Sequence, residues 1–262
     1  MSTPPTDTLL FDVPPPPTPV ERLLHLADLY TRHNDSLDIV LLTATAPEPG
    51  AHVVSAQRLA SETCVAVKAI QSERLYESSE LTETVVRLKQ LAFLSTASAD
   101  HGIHAARELT ALAPEAAVGC AAALAAETRR RHWSTALAPD ERLTAAQRTA
   151  LAQIACGHVV ASSSLGRDFT RSREPKVLMS TLRALESKDL AERTPNSARA
   201  AYAGGPAQDR VRLTPAGITA LASVLGLPLT EPGSAPPLSF LWSCNGAAGL
   251  RARHDCSPLL NR

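Results

Sequence analysis

From Val20 onward the apolar positions repeat with helical spacing. Val20, Leu23, Leu24, Ala27 and Tyr30 fall at i, i+3, i+4, i+7 and i+10, with Glu21, Arg22 and Asp28 elsewhere on the wheel. Asp35 or Ser36 is placed to cap a short second helix through Leu41 and Leu42, and Ala46-Pro47-Glu48-Pro49-Gly50 breaks the pattern. Residues 51–76 and 81–95 read as two longer helices. In the second, Leu81, Val85, Leu88 and Ala92 repeat at i, i+4, i+7 and i+11, a stripe that suits either a core face or a short dimer seam. Ser98 or Asp100 opens another helix that ends near Pro114. Pro114 with Glu115 then suits the first turn of an Ala-rich helix running to about residue 130. Nothing β-rich interrupts this half, so it reads as a bundle of four to six helices.

The period changes after residue 142. Thr144 caps a helix whose apolar positions are Leu143, Ala146, Ala150, Leu151 and Ile154, ending at Gly157, and Val159-Val160 suits a small strand. Ser162–Ser164 is placed to cap a short second helix through Phe169. Ser172 caps a third, with Pro175 in its first turn and Leu178, Leu182 and Leu185 as its inner face, Leu190 beyond. Leu190–Thr194 reads as extended, and residues 195–208, with Pro195, Asn196, Gly204, Gly205 and Pro206, read as a hairpin loop. Arg210-Val211-Arg212-Leu213 alternates as a half-buried strand should, and Thr214-Pro215 supplies the cap and first residue of a last helix through Ile218, Leu221 and Leu225. The order helix, helix, helix, strand, loop, strand, helix is that of a winged helix-turn-helix. The expected fold class is therefore mainly α, an N-terminal helical bundle followed by a winged helix-turn-helix domain with a small β-hairpin wing. The expected divisions are a Pro-rich arm (1–19), an acidic helical domain (20–138), the winged helix (142–226) and a flexible tail (227–262).

Charge sharpens this division. The 262 residues hold 26 basic and 26 acidic side chains, a neutrality that looks unfavourable to nucleic acid. Counted by segment, residues 1–141 sum to −7, residues 142–226 to +6 and the remainder to +1. The zero is a cancellation, and charge asymmetry between parts of a chain points to separate partners. Of the basic residues 22 are Arg, which with abundant Ala, Leu and Pro fits a GC-rich bacterial coding sequence. The run Arg129-Arg130-Arg131 reads first as favourable charge at a helix C-terminus, with DNA phosphate contact as the alternative.

Leu182-Arg183-Ala184-Leu185-Glu186-Ser187-Lys188-Asp189-Leu190 resembles the end of the recognition helix in MarR-like and PadR-like bacterial regulators. Asp209-Arg210-Val211-Arg212-Leu213-Thr214-Pro215-Ala216-Gly217 resembles their second wing strand and following helix. The likeness covers about a third of the chain. It departs from the family pattern at Asp189, where Gly is usual, and over Ala161–Arg173. The resemblance implies double-stranded DNA as partner, a homodimer on inverted repeats, and a recognition helix in the major groove. Arg167, Arg171, Arg173, Lys176 and Arg183 cluster around that helix, with Ser180 and Thr181 small enough to reach base edges or phosphate. Arg193, Arg199 and Arg210 border the wing, where cations displace phosphate counterions, while Arg183 and Arg212 suit either phosphate contact or plain exposure.

The remaining features add little chemistry. Cys64, Cys120, Cys156, Cys244 and Cys256 contain no C-x-x-C pair and read as reduced thiols of a cytoplasmic protein. Cys244, His254 and Cys256 lack the further ligand that a metal needs, and His101 and His104 beside Asp100 suit a capped helix start, so no metal or cofactor is expected. No secretory leader or run of about 18 apolar residues is read, and hence no membrane partner. His158 near Ser162–Ser164 has no orienting partner in the sequence, and no catalytic constellation emerges. The leading expectation is a dimeric transcription regulator, with the helical domain open to a small-molecule or protein effector. The alternatives are a mobile-element or chromosome-maintenance protein acting in replication, partition or transfer, and a winged-helix interaction module without DNA binding.

Overall fold

A computed structural model describes residues 16–43, 50, 52–73, 78–131, 143–164, 166–202 and 205–227. The tail with Cys244, His254 and Cys256, most of the Pro-rich arm, the break at 46–49 and Gly204 lie outside the described residues. The fold is mainly helical with one small antiparallel sheet. Five helices come first: α1 (Pro19–Thr43), α2 (Val53–Ser72), α3 (Ser79–Ala99), α4 (Ile103–Thr110) and α5 (Ala113–Arg131). Then follow α6 (Ala145–Ala155), β1 (Val160–Ser164), β2 (Arg167–Arg171), α7 (Met179–Ser187), β3 (Ala191–Ala198), β4 (Gln208–Leu213) and α8 (Pro215–Val224). The sheet order is β2-β1-β4-β3.

Local chemistry sets several of the helix starts. Thr18 and Glu21 form a reciprocal capping box, the Glu21 N–H donating to Thr18 Oγ1 at 3.2 Å and the Thr18 N–H to Glu21 Oε2 at 2.8 Å, with Pro19 as the first helical residue. Glu21 Oε1 also accepts from the Thr219 hydroxyl on α8 at 2.7 Å. Thr144 and Gln147 repeat the capping box on α6, Ser78 accepts from the Leu81 N–H on α3, and Thr214 accepts from the Gly217 N–H on α8.

α1 runs unbroken for 25 residues, where a break and a new cap at Asp35 or Ser36 were expected. Both residues are otherwise engaged. The Ser36 hydroxyl donates to the Arg32 carbonyl one turn back, and the Asp35 carboxylate accepts from Arg210 of β4. Asn34 is also claimed, its amide donating to the Thr110 carbonyl at 2.9 Å and its oxygen accepting from the Thr110 hydroxyl at 2.6 Å. These polar side chains serve tertiary partners, so the helix continues through them.

The bundle core gathers on α1. Leu23, Leu24 and Tyr30 meet Leu59 and Ile70 of α2, Leu88 and Leu91 of α3, and Val118 and Leu124 of α5 in one buried cluster. The Tyr30 hydroxyl sits between Thr63 Oγ1 (3.0 Å) and Ser95 Oγ (2.7 Å), which satisfies an otherwise costly buried polar group. Leu81, Leu88 and Ala92 are buried and Val85 packs on them, so that stripe is core face rather than dimer seam. The stretch Ile103–Arg131 is apolar and long enough by composition to cross a membrane, yet Ala113, Ala117, Val118, Ala121 and Leu124 within it belong to this core. The same cluster continues through Leu151 and Ile154 of α6, Leu182 and Leu185 of α7, Val211 of β4 and Leu221 of α8. Of the three terminal arginines of α5, Arg129 donates to the Leu225 carbonyl at 3.0 Å, just past the end of α8, while Arg130 and Arg131 pair with the buried Glu127.

Space dictates glycine at positions 217 and 157. A Cβ at Gly217 would stand 1.9 Å from the Leu190 carbonyl oxygen, where α8 crosses the end of α7. Gly157 has φ +71°, and a Cβ there would press the Thr31 side chain of α1. Asp189 adopts φ 56° after α7, the left-handed turn that its short polar side chain tolerates.

The expected helix from Ser162 through Phe169 is instead a β-hairpin, β1–β2, turning at Gly166 with φ +72°. Arg167-Asp168-Phe169-Thr170-Arg171 alternates exposed and half-buried, the period of a strand. Ser172 does not cap a helix; its Oγ accepts from the Val177 N–H at 2.9 Å inside a loop. Pro175 lies in that loop, α7 begins only at Met179, and Leu178 is exposed rather than part of the inner face. The order of this half is thus helix, strand, strand, helix, strand, strand, helix, without the second helix of a helix-turn-helix.

Buried His33 on α1 gives the fold a pH dependence. Its Nδ1 lies 2.8 Å from Ser55 Oγ, and burial, reinforced by His52 and Arg107, pushes its pKa down to about 4. The unfolded chain takes that proton near pH 6.5, so the stability from neutral His33 is present above pH 6.5 and is lost as pH falls toward 4. Chemical denaturation should find the protein about 2 kcal/mol less stable at pH 5 than at pH 7. His33→Gln should flatten that slope; an unchanged slope in the variant would show that another group carries it.

Candidate nucleic-acid interface

α7 is a nine-residue helix whose Leu182 and Leu185 are fully buried, leaving Ser180, Arg183 and Ser187 on its outer side. Arg193 on β3 clamps it to the sheet. Its guanidinium donates to both Glu186 oxygens, at 2.6 and 3.1 Å, and lies 3.5 Å from Asp168 of β2. The hydrogen bonds that Arg193 donates to Glu186 hold its pKa above the ordinary value. Arg183 is 63% exposed and reaches Asp168 at 3.3 Å, and its hydrogen bond, helped by Arg193, holds that carboxyl below the usual range. Arg193 is therefore a brace for the helix, and Arg183 is its outward cation.

Lys176 is exposed in the loop before α7, Ser180 is exposed and Thr181 half-buried. Arg199 is exposed just past β3, near exposed Tyr202. Arg173 is exposed but donates to Glu115 at 2.6 Å. Glu115, in the first turn of α5, also lies 2.8 Å from His158 Nε2, and His158 with Arg173 holds its carboxyl below the ordinary range. The sequence offered His158 no orienting partner, but Glu115 and Gln153 both hold its ring. Burial pushes the neighbouring Cys156 up to about 12, with Glu115 adding to it, so it is a neutral thiol at pH 7.

Two expected wing residues are internal. Arg210 and Arg212 face α1 rather than solvent. Arg210 pairs with Asp35, which is 5% exposed, and Arg212, 8% exposed, lies 3.6 Å from Asp28 and 4.0 Å from Asp35. Burial holds Arg212 below its usual pKa and Asp35 above its own, despite their opposite charges. Arg167 and Arg171 are exposed on β2, but alternation aims them away from the sheet face that carries Asp168 and α7. The outward side of α7 therefore carries Ser180 and Arg183, with exposed Lys176 in the loop before the helix and exposed Arg199 in the loop after β3. Sequence reasoning missed Glu115 as a partner of Arg173, a pairing 58 residues apart that no local pattern signals.

Elsewhere, the start of α1 and the ends of α2, α5 and α8 enclose a groove of about 590 Å³, lined by Pro17, Val20, Ala69, Leu124 and Ala222 among others. Among the described residues no group of three or more His, Cys, Asp or Glu gathers at metal-ligand range. No protein-family model, curated protein or solved structure matches the chain.

Proposed function

We propose that this protein binds double-stranded DNA as a transcription regulator, with α7 entering the major groove and the β3–β4 hairpin serving as a wing. In this reading the second half is a divergent winged helix in which the β1–β2 hairpin stands where the second helix belongs. The observation that carries it is the outward side of α7. Arg183 and the small Ser180 stand on a short, braced helix with Lys176 in the loop just before it, a pattern suited to phosphate and base-edge contacts. The pairing of β1 with β4 supports it, because it fixes the hairpin relative to α6 and α7. Action as a homodimer on an inverted repeat follows by analogy with other helix-based readers of DNA. The groove between α1, α2, α5 and α8 is the natural seat of a small-molecule effector, being concave and mainly apolar.

The test is a gel-shift titration of the full chain against a pool of random duplexes at low salt, followed by selection of bound sequences. A shift that enriches a short inverted repeat is the expected result. Failure to bind any duplex at low salt would overturn the reading in favour of a protein-interaction module.

A further inference from the structure

The β1–β2 hairpin carries a second surface. Val160 of β1 stands opposite both Arg171 and Arg210, so Arg167, Phe169 and Arg171 share the sheet face on which Arg210 lies. Asp168 and Thr170 occupy the other face, where Arg183 and the Val177 carbonyl meet them. α1 takes up Arg210, but β2 is the outermost strand of the sheet. Arg167 and Arg171 are exposed, and the Phe169 ring is 51% exposed. Neither arginine has an ion pair among the described residues. An aromatic ring on an edge strand with an uncompensated cation on either side is costly to leave in water and complementary to a flat, anionic partner.

Side chains two apart on a strand are about 6.6 Å apart, comparable to the step between phosphates of an extended single strand. Ser162, opposite Phe169 on β1, is too small to cover the ring. We propose that this face is a stacking platform for unpaired nucleotides, with Phe169 stacking on a base and Arg167 and Arg171 contacting the flanking phosphates. The platform lies on the opposite sheet face from α7, so it adds a contact to melted or single-stranded DNA beyond the duplex contact. It rests on the reading of the protein as a DNA binder.

The test compares the full chain and Phe169→Ala on a labelled oligothymidine strand, an intact duplex, and the same duplex with an unpaired bubble. Phe169→Ala should lower affinity for the oligothymidine and the bubble about tenfold, leave the intact duplex within twofold, and be rescued by Phe169→Trp. Equal affinities of wild type and variant for the oligothymidine would overturn the platform while leaving duplex binding by α7 standing. Wild-type binding to the single strand but not to duplex would support the platform and overturn the α7 reading. Binding to neither would overturn both, and a loss in Phe169→Ala that is the same on all three substrates would overturn the platform alone.

Discussion

Replacing Asp35 by Ala is expected to lower the stability of the protein by about 3–5 kcal/mol, the cost of stranding a buried charge. Asp35 lies on α1, is buried, and faces Arg210 and Arg212 of β4. Arg210 also donates to the Gly157 carbonyl, so this one guanidinium ties together α1, the turn after α6 and β4. Burial raises the Asp35 pKa even though two arginines pull it down, which means that desolvation is the larger effect at this site. Such a pair adds little net stability when intact and causes a large loss when half of it is removed. The double variant Asp35→Leu/Arg210→Met should therefore recover most of the loss, because it removes both desolvated charges together. Urea denaturation of the three proteins checks this; a loss below about 1 kcal/mol in Asp35→Ala would mean that water reaches the pair.

The second large effect concerns binding. Lys176→Ala/Arg183→Ala should weaken duplex affinity about a hundredfold at physiological salt, since one cation precedes α7 and the other projects from it. Neither side chain is buried, so the variant should melt with the wild type. Arg173→Ala should do less, because its ion pair draws Arg173 to Glu115 of α5, whereas the partner of Arg183, Asp168, lies beside α7 on β2. Arg210→Ala and Arg212→Ala would instead act through stability, and a binding loss in those variants without destabilisation would contradict their placement against α1.

Features set by neighbours in sequence were legible. The Thr144 and Thr214 caps, Pro114 in the first turn of α5, the left-handed Asp189 and the β3–β4 hairpin each follow from a few adjacent residues. Two failures have different causes. Asp35 and Ser36 looked like caps because nothing local reveals that Asp35 has a partner 175 residues away. The serines at 162–164 looked like a helix start because Ser suits caps and strands alike; the alternation of Arg167-Asp168-Phe169-Thr170-Arg171 was the competing signal. For the proposed binding surface, the sequence could not separate the cations that face outward from those that pair with α1 and α5. The segmental charge foreshadowed that outcome. An acidic helical half beside a basic second half supplies Asp28, Asp35 and Glu115 as internal partners for Arg212, Arg210 and Arg173.

The most direct test of the central claim is the salt dependence of duplex affinity for wild type and for Lys176→Ala/Arg183→Ala. Each phosphate contact contributes roughly one unit to the slope of log affinity against log salt. The expected wild-type slope is clearly negative, and that of the variant about two units shallower. Equal slopes would contradict it, because they would place the DNA on some surface other than the outward side of α7.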